Sequence, residues 1–325
     1  MDNPVVSVNM LTYNHGPYVE RAIEGVLAQK TTFPIELIIG EDCSTDGTRD
    51  IVFGYQKKHP DTIKIVTSDH NVGARINGHR VIEASKGKYI AFCEGDDYWH
   101  KDDKLQTQVD ILESNPEYGL VYSDYDKHFI KKRKTIHNNI HRKANKCPQP
   151  PSIIEILSGK AGIQTLTVLA EKELVDRLIR SDAYLYRDGP FMMGDTQLWA
   201  EISTLKKIYY LDRSLAVHLI LPESATQSDK LPKKLRFRIS GSEMCIYLGK
   251  KHNLPKPLID HHQNIVNNLS LKVAFLENDI DQSRRVWREM KRKSLKQAIL
   301  HYATIIKPLR GIFIPFYLPY ERSKW

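Results

Sequence analysis

Three apolar runs in the first hundred residues each end in polar or acidic residues. Residues 5–11 are strand-like and run into Thr12-Tyr13-Asn14-His15-Gly16-Pro17. Residues 35–42 read Ile-Glu-Leu-Ile-Ile-Gly-Glu-Asp, and residues 89–99 read Tyr-Ile-Ala-Phe-Cys-Glu-Gly-Asp-Asp-Tyr-Trp. Between the first two, Val19, Ala22, Ile23, Val26 and Leu27 recur at helical spacing, which predicts an amphipathic helix over 17–30 with Pro17 at its start. After the second, the turn-rich Cys43-Ser44-Thr45-Asp46-Gly47-Thr48 leads into a helical pattern from Arg49. Strands alternating with helices argue for right-handed βαβ units and a mostly parallel sheet. Ligands bind such open sheets at the carboxyl edge, where all three runs deliver polar groups. Glu94, Asp96 and Asp97, with the small Gly95 among them, suit a hard divalent cation such as Mg²⁺ or Mn²⁺. A solvated acidic turn after a core strand is the other reading of those residues alone.

The 325 residues suffice for one large domain and an appendage. Hydrophobic content of 41% and charged content of 27% are those of a soluble globular protein. Cys43, Cys93, Cys147 and Cys245 lie far apart with no C-x-x-C pair, so neither a zinc site nor a disulfide framework is expected. The first strand begins too early for a signal peptide, and no apolar stretch is long enough to span a bilayer. The expected location is cytoplasmic.

The net charge is +9. Lys127, Lys131, Lys132, Arg133, Lys134, Arg142, Lys143 and Lys146 supply one basic stretch, read as a mobile loop over 127–151. The second begins at Arg284, where seven basic residues up to Lys296 sit beside Val286, Trp287, Met290, Leu295, Ile299 and Leu300, followed by the aromatic and apolar tail 312–320. Such a segment resembles an interfacial anchor for an anionic membrane surface, here the inner face of the plasma membrane. Equally, its apolar residues could pack on the protein's own helices. Helical patterns cover 231–250, 257–277 and 279–306, with breaks at 253–257 and 278–281.

The motifs follow one another in a recognisable order. Asn-Met-Leu-Thr-Tyr-Asn at 9–14, Glu-Asp-Cys-Ser-Thr-Asp-Gly-Thr at 41–48, Asn-Val-Gly at 71–73 and Glu-Gly-Asp-Asp-Tyr-Trp at 94–99 together resemble a family 2 glycosyltransferase over about residues 4–228. The resemblance implies the GT-A fold, a Rossmann-like, mostly parallel α/β sheet flanked by helices, here with a small C-terminal helical module. It implies a catalytic domain over 1–228, made of a nucleotide-sugar half (1–126), the basic loop (127–151) and an acceptor half (152–228), and a helical region over 229–325. Thr12, Tyr13 and Asn14 would line the nucleotide pocket with Asn71 and Gly73, and Asp42 would contact the base. The family's D-x-D motif matches Glu94-Gly95-Asp96. Asp96 would hold Mn²⁺ or Mg²⁺, with Asp97 as a further ligand or support.

Gly194-Asp195 opens an apolar-faced helix, and the resemblance makes Asp195 the catalytic base; as Asp it is also a favoured helix cap. The segment 216–226 resembles the part of relatives that closes over the diphosphate. Many of them carry Tyr-Arg where this chain has His218-Leu219, which leaves His218 as the candidate diphosphate contact.

The function implied is inverting transfer from a nucleotide-diphosphate sugar, UDP-sugar favoured, to a glycan or lipid-linked glycan in bacterial surface polysaccharide synthesis. A basic nucleic-acid-binding protein is the alternative from another class, yet the sharpest motifs are acidic and repel phosphate, so no nucleic-acid partner is expected. A nucleotidyltransferase would show a glycine-rich loop with a lysine, which residues 12–17 lack. A non-catalytic sugar binder would not need the full set of acids.

Overall fold

The protein was analysed as a computed structural model, which describes residues 3–140, 148–221, 231–290 and 293–313. The chain divides into two compact units, Met1–Gly189 with Gly194–Ile220, and Pro190–Met193 with Leu221–Trp325.

The first unit opens with β1 (Val6–Thr12), α1 (Val19–Leu27), β2 (Ile35–Glu41), α2 (Thr48–Lys58), β3 (Ile63–Thr67), α3 (Ala74–Ala84) and β4 (Tyr89–Phe92). It continues through β5 (Tyr98–Trp99), α4 (Lys104–Ser114), β6 (Tyr118–Phe129), β7 (Lys134–Ile136), α5 (Ile153–Leu157), β8 (Leu169–Glu171), α6 (Lys172–Ser181), α7 (Thr196–Leu205) and β9 (Lys207–Ile220). Among the described residues the strands form one sheet in the order β3-β2-β1-β4-β8-β6-β9-β5, with β7 on β6.

The four strands from β3 to β4 run parallel. They carry the buried Val6, Val8, Met10, Leu37, Ile38, Ile39, Ile90 and Ala91. Such continuous apolar runs belong to strands covered on both faces. β8 is antiparallel to both β4 and β6, while β6 and β9 run parallel to each other. The sheet is therefore a parallel α/β half extended by a mixed half, and the fold is GT-A.

α1 buries Val19, Ala22, Ile23 and Val26. Pro17 lies in the preceding turn, where the His15 carbonyl accepts from both Tyr18 N and Val19 N, so the helix starts two residues later than its sequence pattern suggests.

The expectation of a mobile loop from residue 127 needs correction. Residues 127–129 complete β6 and pair antiparallel with 134–136 of β7. The basic run 131–134 at the turn between these strands obscured the hairpin. Residues 141–147 of that stretch, including Cys147, lie outside the described residues.

The second unit contains α8 (Leu231–Lys251), α9 (Lys256–Glu277), α10 (Ile280–Glu289) and α11 (Leu295–Ile305). α8 ends near Asn253 and α9 at Asn278, both with left-handed backbone (φ 51° and 59°), a conformation Asn tolerates. The single helix expected over 279–306 is two helices. Ser294 caps α11 in a capping box with Gln297, which favours a new start there. Leu271, Phe275, Met290, Leu300 and Ala303 form one core cluster, and Leu235, Leu269 and Val273 another.

Candidate active site

β1 and β2 end in register, Thr12 beside Glu41. Beyond them the two loops lock together. Asn14 takes a left-handed conformation (φ 55°), its Oδ1 accepts from Thr45 N at 2.9 Å, and its own N–H donates to Ser44 Oγ at 3.1 Å. His15 N donates to Thr48 Oγ1 at 2.8 Å, and Gly16 N to Asp46 Oδ2 at 2.9 Å. Glu41 turns inward, accepting from Ser44 N and Thr67 Oγ1. The loop is thus fixed by backbone and side-chain bonds, while Tyr13 stays 44% exposed at its tip.

Asp42 is buried, and both its carboxylate oxygens are engaged. Val72 N donates to Oδ1 at 2.8 Å and Gly73 N to Oδ2 at 2.9 Å, while Asn71 Nδ2 donates to the Asp42 carbonyl at 3.2 Å. Gly73 sits at φ 86°, where a side chain would be strained, and opens α3. Asp42, Asn71 and Gly73 therefore form one unit in which the acid organises the 71–73 loop.

The chain past β4 stays attached to β1 through Cys93 N to the Asn9 carbonyl and Gly95 N to the Leu11 carbonyl. This attachment presses Gly95 against the first loop. A Cβ there would meet Thr12 Oγ1 at 2.7 Å and His15 Nδ1 at 3.0 Å. A tight turn with Asp97 N on the Glu94 carbonyl then separates the three acids.

Asp97 points inward and accepts from Leu219 N of β9 at 2.8 Å. Burial, with Asp96 and Glu94 beside it, pushes its carboxyl well above the usual range. Asp96 keeps its side chain 20% exposed, with Oδ2 3.9 Å from His15 Nε2. Burial raises Glu94 as well, and the charges of Asp96 and then Asp195 add to the effect. Asp195 therefore lies near enough to be felt electrostatically at the end of β4.

Asp195 reaches that edge on α7, whose Trp199 packs edge-on against Phe92 of β4, ring centroids 5.5 Å apart. It is the N-cap of α7, with Thr196 N donating to Oδ1 at 2.6 Å. Thr165 Oγ1 donates to Oδ2 at 2.6 Å. The turn 165–167 that carries this threonine is held by Trp99 Nε1 on the Leu166 carbonyl and Gln108 Nε2 on the Thr167 carbonyl.

His218 lies on β9 beside the Tyr125 ring, and burial lowers its pKa to about 4. Burial thus disfavours the charged form of this imidazole in the free protein. Residues 222–226 of the segment expected to close over the diphosphate lie outside the described residues.

Thr12 Oγ1, His15 Nδ1, Glu94 Oε2 and His218 Nδ1 are buried without a partner. Buried polar atoms are nearly always hydrogen-bonded, so orphans on the loop residues and acids of one edge point to a missing polar occupant. Among the described residues no three His, Cys, Asp or Glu side chains could hold a metal by themselves. The partly exposed Asp96 carboxylate beside the orphans instead suits a cation such as Mg²⁺ or Mn²⁺, which binds through one or two carboxylates and completes its shell with substrate phosphates and water. His15 and Thr165 did not figure among the residues expected from sequence. His15 lies inside the first motif and could have been included, whereas Thr165 sits in a stretch with no periodic signal.

Comparison with known proteins gives this geometry a family. Residues 7–165 match the model described as glycosyl transferase family 2. An uncharacterised protein of Mycobacterium bovis is 39% identical over 36% of this chain and 34% of its own length. The putative teichuronic acid biosynthesis glycosyltransferase TuaG of Bacillus subtilis is 40% identical over 34% of this chain and 42% of its own. WfgD of Escherichia coli, named a UDP-Glc:α-D-GlcNAc-diphosphoundecaprenol β-1,3-glucosyltransferase, is 28% identical over 54% of this chain and 64% of its own. The matches thus span less than two thirds of each of these relatives.

Two solved structures share the fold at 17% identity. TarS 1–349 of S. aureus with UDP-GlcNAc has a TM-score of 0.58 and aligns over 97% of this chain and 92% of its own. The mannosyltransferase PcManGT of Pyrobaculum calidifontis with GDP-Man and Mn²⁺ has a TM-score of 0.57, over 96% and 83%. The ordered motifs, the GT-A sheet and the family match together place residues 7–165 in glycosyltransferase family 2.

Proposed function

We propose that the chain transfers a sugar, with inversion, from a nucleotide-diphosphate sugar to an acceptor hydroxyl in the synthesis of a bacterial surface polysaccharide or other glycan. The observation that carries this reading is the convergence of the fixed loop 12–16, the Asp42-ordered loop 71–73, the Glu94-Gly95-Asp96 turn and the Thr165–Asp195 pair on one sheet edge.

Each group has a task. Thr12, Tyr13 and Asn14, with the 71–73 loop that Asp42 holds in place, form the wall for the nucleotide. Glu94 and Gly95 border the ribose and diphosphate. Asp96 would hold Mn²⁺ or Mg²⁺, with the inward Asp97 fixing the turn from behind. When bound, the cation neutralises the charge developing on the diphosphate. The Asp195 carboxylate accepts the proton of the acceptor hydroxyl as its oxygen bonds to the sugar C1 and the C1–O bond to the diphosphate breaks. Attack from the face opposite the leaving group inverts C1 without a covalent enzyme intermediate. His218 is the candidate diphosphate contact, although its burial disfavours a charged imidazole in the free protein.

The names of relatives support the substrate class: UDP-Glc and a diphosphoundecaprenol-linked acceptor for WfgD, UDP-GlcNAc for TarS, GDP-Man with Mn²⁺ for PcManGT. We favour a UDP-sugar as donor and a glycan or lipid-linked glycan as acceptor. The test is to incubate the chain with UDP- and GDP-sugars, Mn²⁺ or Mg²⁺, and lipid-linked acceptors. Transfer from a nucleotide sugar supports the reading. Binding of nucleotide sugars with no transfer or donor hydrolysis would favour a non-catalytic relative.

A further inference from the structure

The C-terminal helices hold two sets of apolar residues with different fates. Val286, Trp287, Met290 and Leu300 pack in the helical core with Leu271 and Phe275. Trp287 stacks on His301 at 4.6 Å and 7°, under the Lys293 ammonium, so it is part of the fold and is not the interfacial residue the sequence suggested.

The second set faces outward. Leu295 is 79% exposed, Ile299 40%, Tyr302 50% and Ile306 43%. Their spacing of four and three residues puts Leu295, Ile299 and Tyr302 on one stripe of α11, opposite the buried Leu300, Ala303 and Thr304, and Ile306 follows at its C-cap. Ile312 (59% exposed) and Phe313 (38%) add apolar surface beyond the helix. A continuous exposed apolar stripe on a soluble chain marks an interaction site.

Charge identifies the occupant. From Arg284 to the C-terminus there are eleven basic and two acidic residues, a balance equal to the +9 of the whole chain. The preceding 283 residues are therefore neutral overall. Arg284, Arg285, Arg288, Lys293, Lys296 and Lys307 are exposed on the elements that carry or flank the stripe. A nucleic acid would satisfy the charge and leave the apolar stripe in water. An anionic bilayer satisfies both, because headgroups pair with the basic side chains while the apolar face enters the acyl boundary.

We propose that α11 is an interfacial helix that docks this protein on an anionic phospholipid surface, with Leu295, Ile299 and Tyr302, and Ile306 at its C-cap, entering the bilayer. Among the described residues no helix is long and apolar enough to cross it. The inference is independent of the reaction at the sheet edge.

The test is flotation of the full chain with vesicles of phosphatidylglycerol and phosphatidylcholine, and with phosphatidylcholine alone. The wild type is expected on the anionic vesicles only, and to leave them as salt rises. Ile299→Ser with Tyr302→Ser should lower partitioning by about tenfold or more while the melting temperature holds, because both side chains are exposed. Lys296→Glu with Lys307→Glu should weaken binding to a similar degree, which keeps the test open if the first variant misfolds. Wild-type chain that does not float, or an apolar variant that is folded and floats as wild type, overturns the proposal. So does self-association without vesicles that the apolar variant abolishes, since α11 would then join two copies. Tighter retention on duplex DNA than on the anionic vesicles, unchanged by the apolar substitutions, also overturns it.

Discussion

The hydroxyl of Thr165 donates to Oδ2 of Asp195 at 2.6 Å, and the N–H of Thr196 occupies the other carboxylate oxygen. One side chain thus caps α7 and is aimed by a residue thirty positions upstream. Asn also caps helices well, so Asp195→Asn should leave stability within a few tenths of a kcal/mol. Turnover should fall by roughly 10²–10⁴ if the carboxylate is the base. Loss of stability with turnover per folded molecule intact would reduce Asp195 to a cap.

Thr165 is a positioning residue in this account. Thr165→Val removes the donor at nearly constant volume, and kcat should fall by about tenfold or more, the order of one charge-assisted hydrogen bond. The KM for the donor should not move, and Thr165→Ser should restore most of kcat. A valine variant with wild-type kcat would show that the hydroxyl does not aim the carboxylate.

Asp42 supplies a separate test. Asp42→Asn turns an amide NH₂ toward Val72 N or Gly73 N, two donors facing each other. The unfolding free energy should drop by about 1–3 kcal/mol, and the KM for the nucleotide sugar should rise as the 71–73 loop loosens. Chemical denaturation and donor kinetics read the two effects. A raised KM with undiminished stability would favour direct contact with the base instead.

A pH dependence follows from Lys104. It is fully buried on α4, donates to Gln108 Oε1 at 2.7 Å, and has its ammonium 4.2 Å from the Trp99 ring centroid. Burial lowers its pKa to about 7. Between about pH 7 and the model-compound value of about 10.5, the unfolded chain binds the proton and the folded chain does not. Stability from this group therefore rises with pH across that window, and its buried charge costs most below pH 7. Lys104→Met removes the term, so the melting temperature of the variant relative to wild type should decline steadily from pH 7 to pH 10. A difference that is constant with pH would contradict this.

The parallel half of the sheet was legible because its strands are uninterrupted apolar runs whose acids come at their ends. The breaks at Asn253 and Asn278 were legible because Asn tolerates the left-handed backbone that ends a helix. The break before Ser294 was hidden in a run of lysine and arginine with no glycine or proline to mark it. The β6–β7 hairpin was obscured in the same way, and the β6–β9 pairing depends on residues about ninety apart in sequence. At the candidate site, the acids announced themselves through spacing. What they touch did not: nothing in the sequence says that Asp42 is committed to Val72 and Gly73, that Asp97 holds β9 through Leu219 N, or that Thr165 meets Asp195.

The most direct test of the central claim is titration calorimetry of UDP and GDP against the full chain, with and without Mn²⁺, for wild type and Asp96→Asn. A diphosphate site that works through a cation at Asp96 requires wild-type binding that Mn²⁺ strengthens by about tenfold or more, with the gain lost in a variant that remains folded. Nucleotide binding that ignores Mn²⁺, or an equal Mn²⁺ gain in Asp96→Asn, would contradict it.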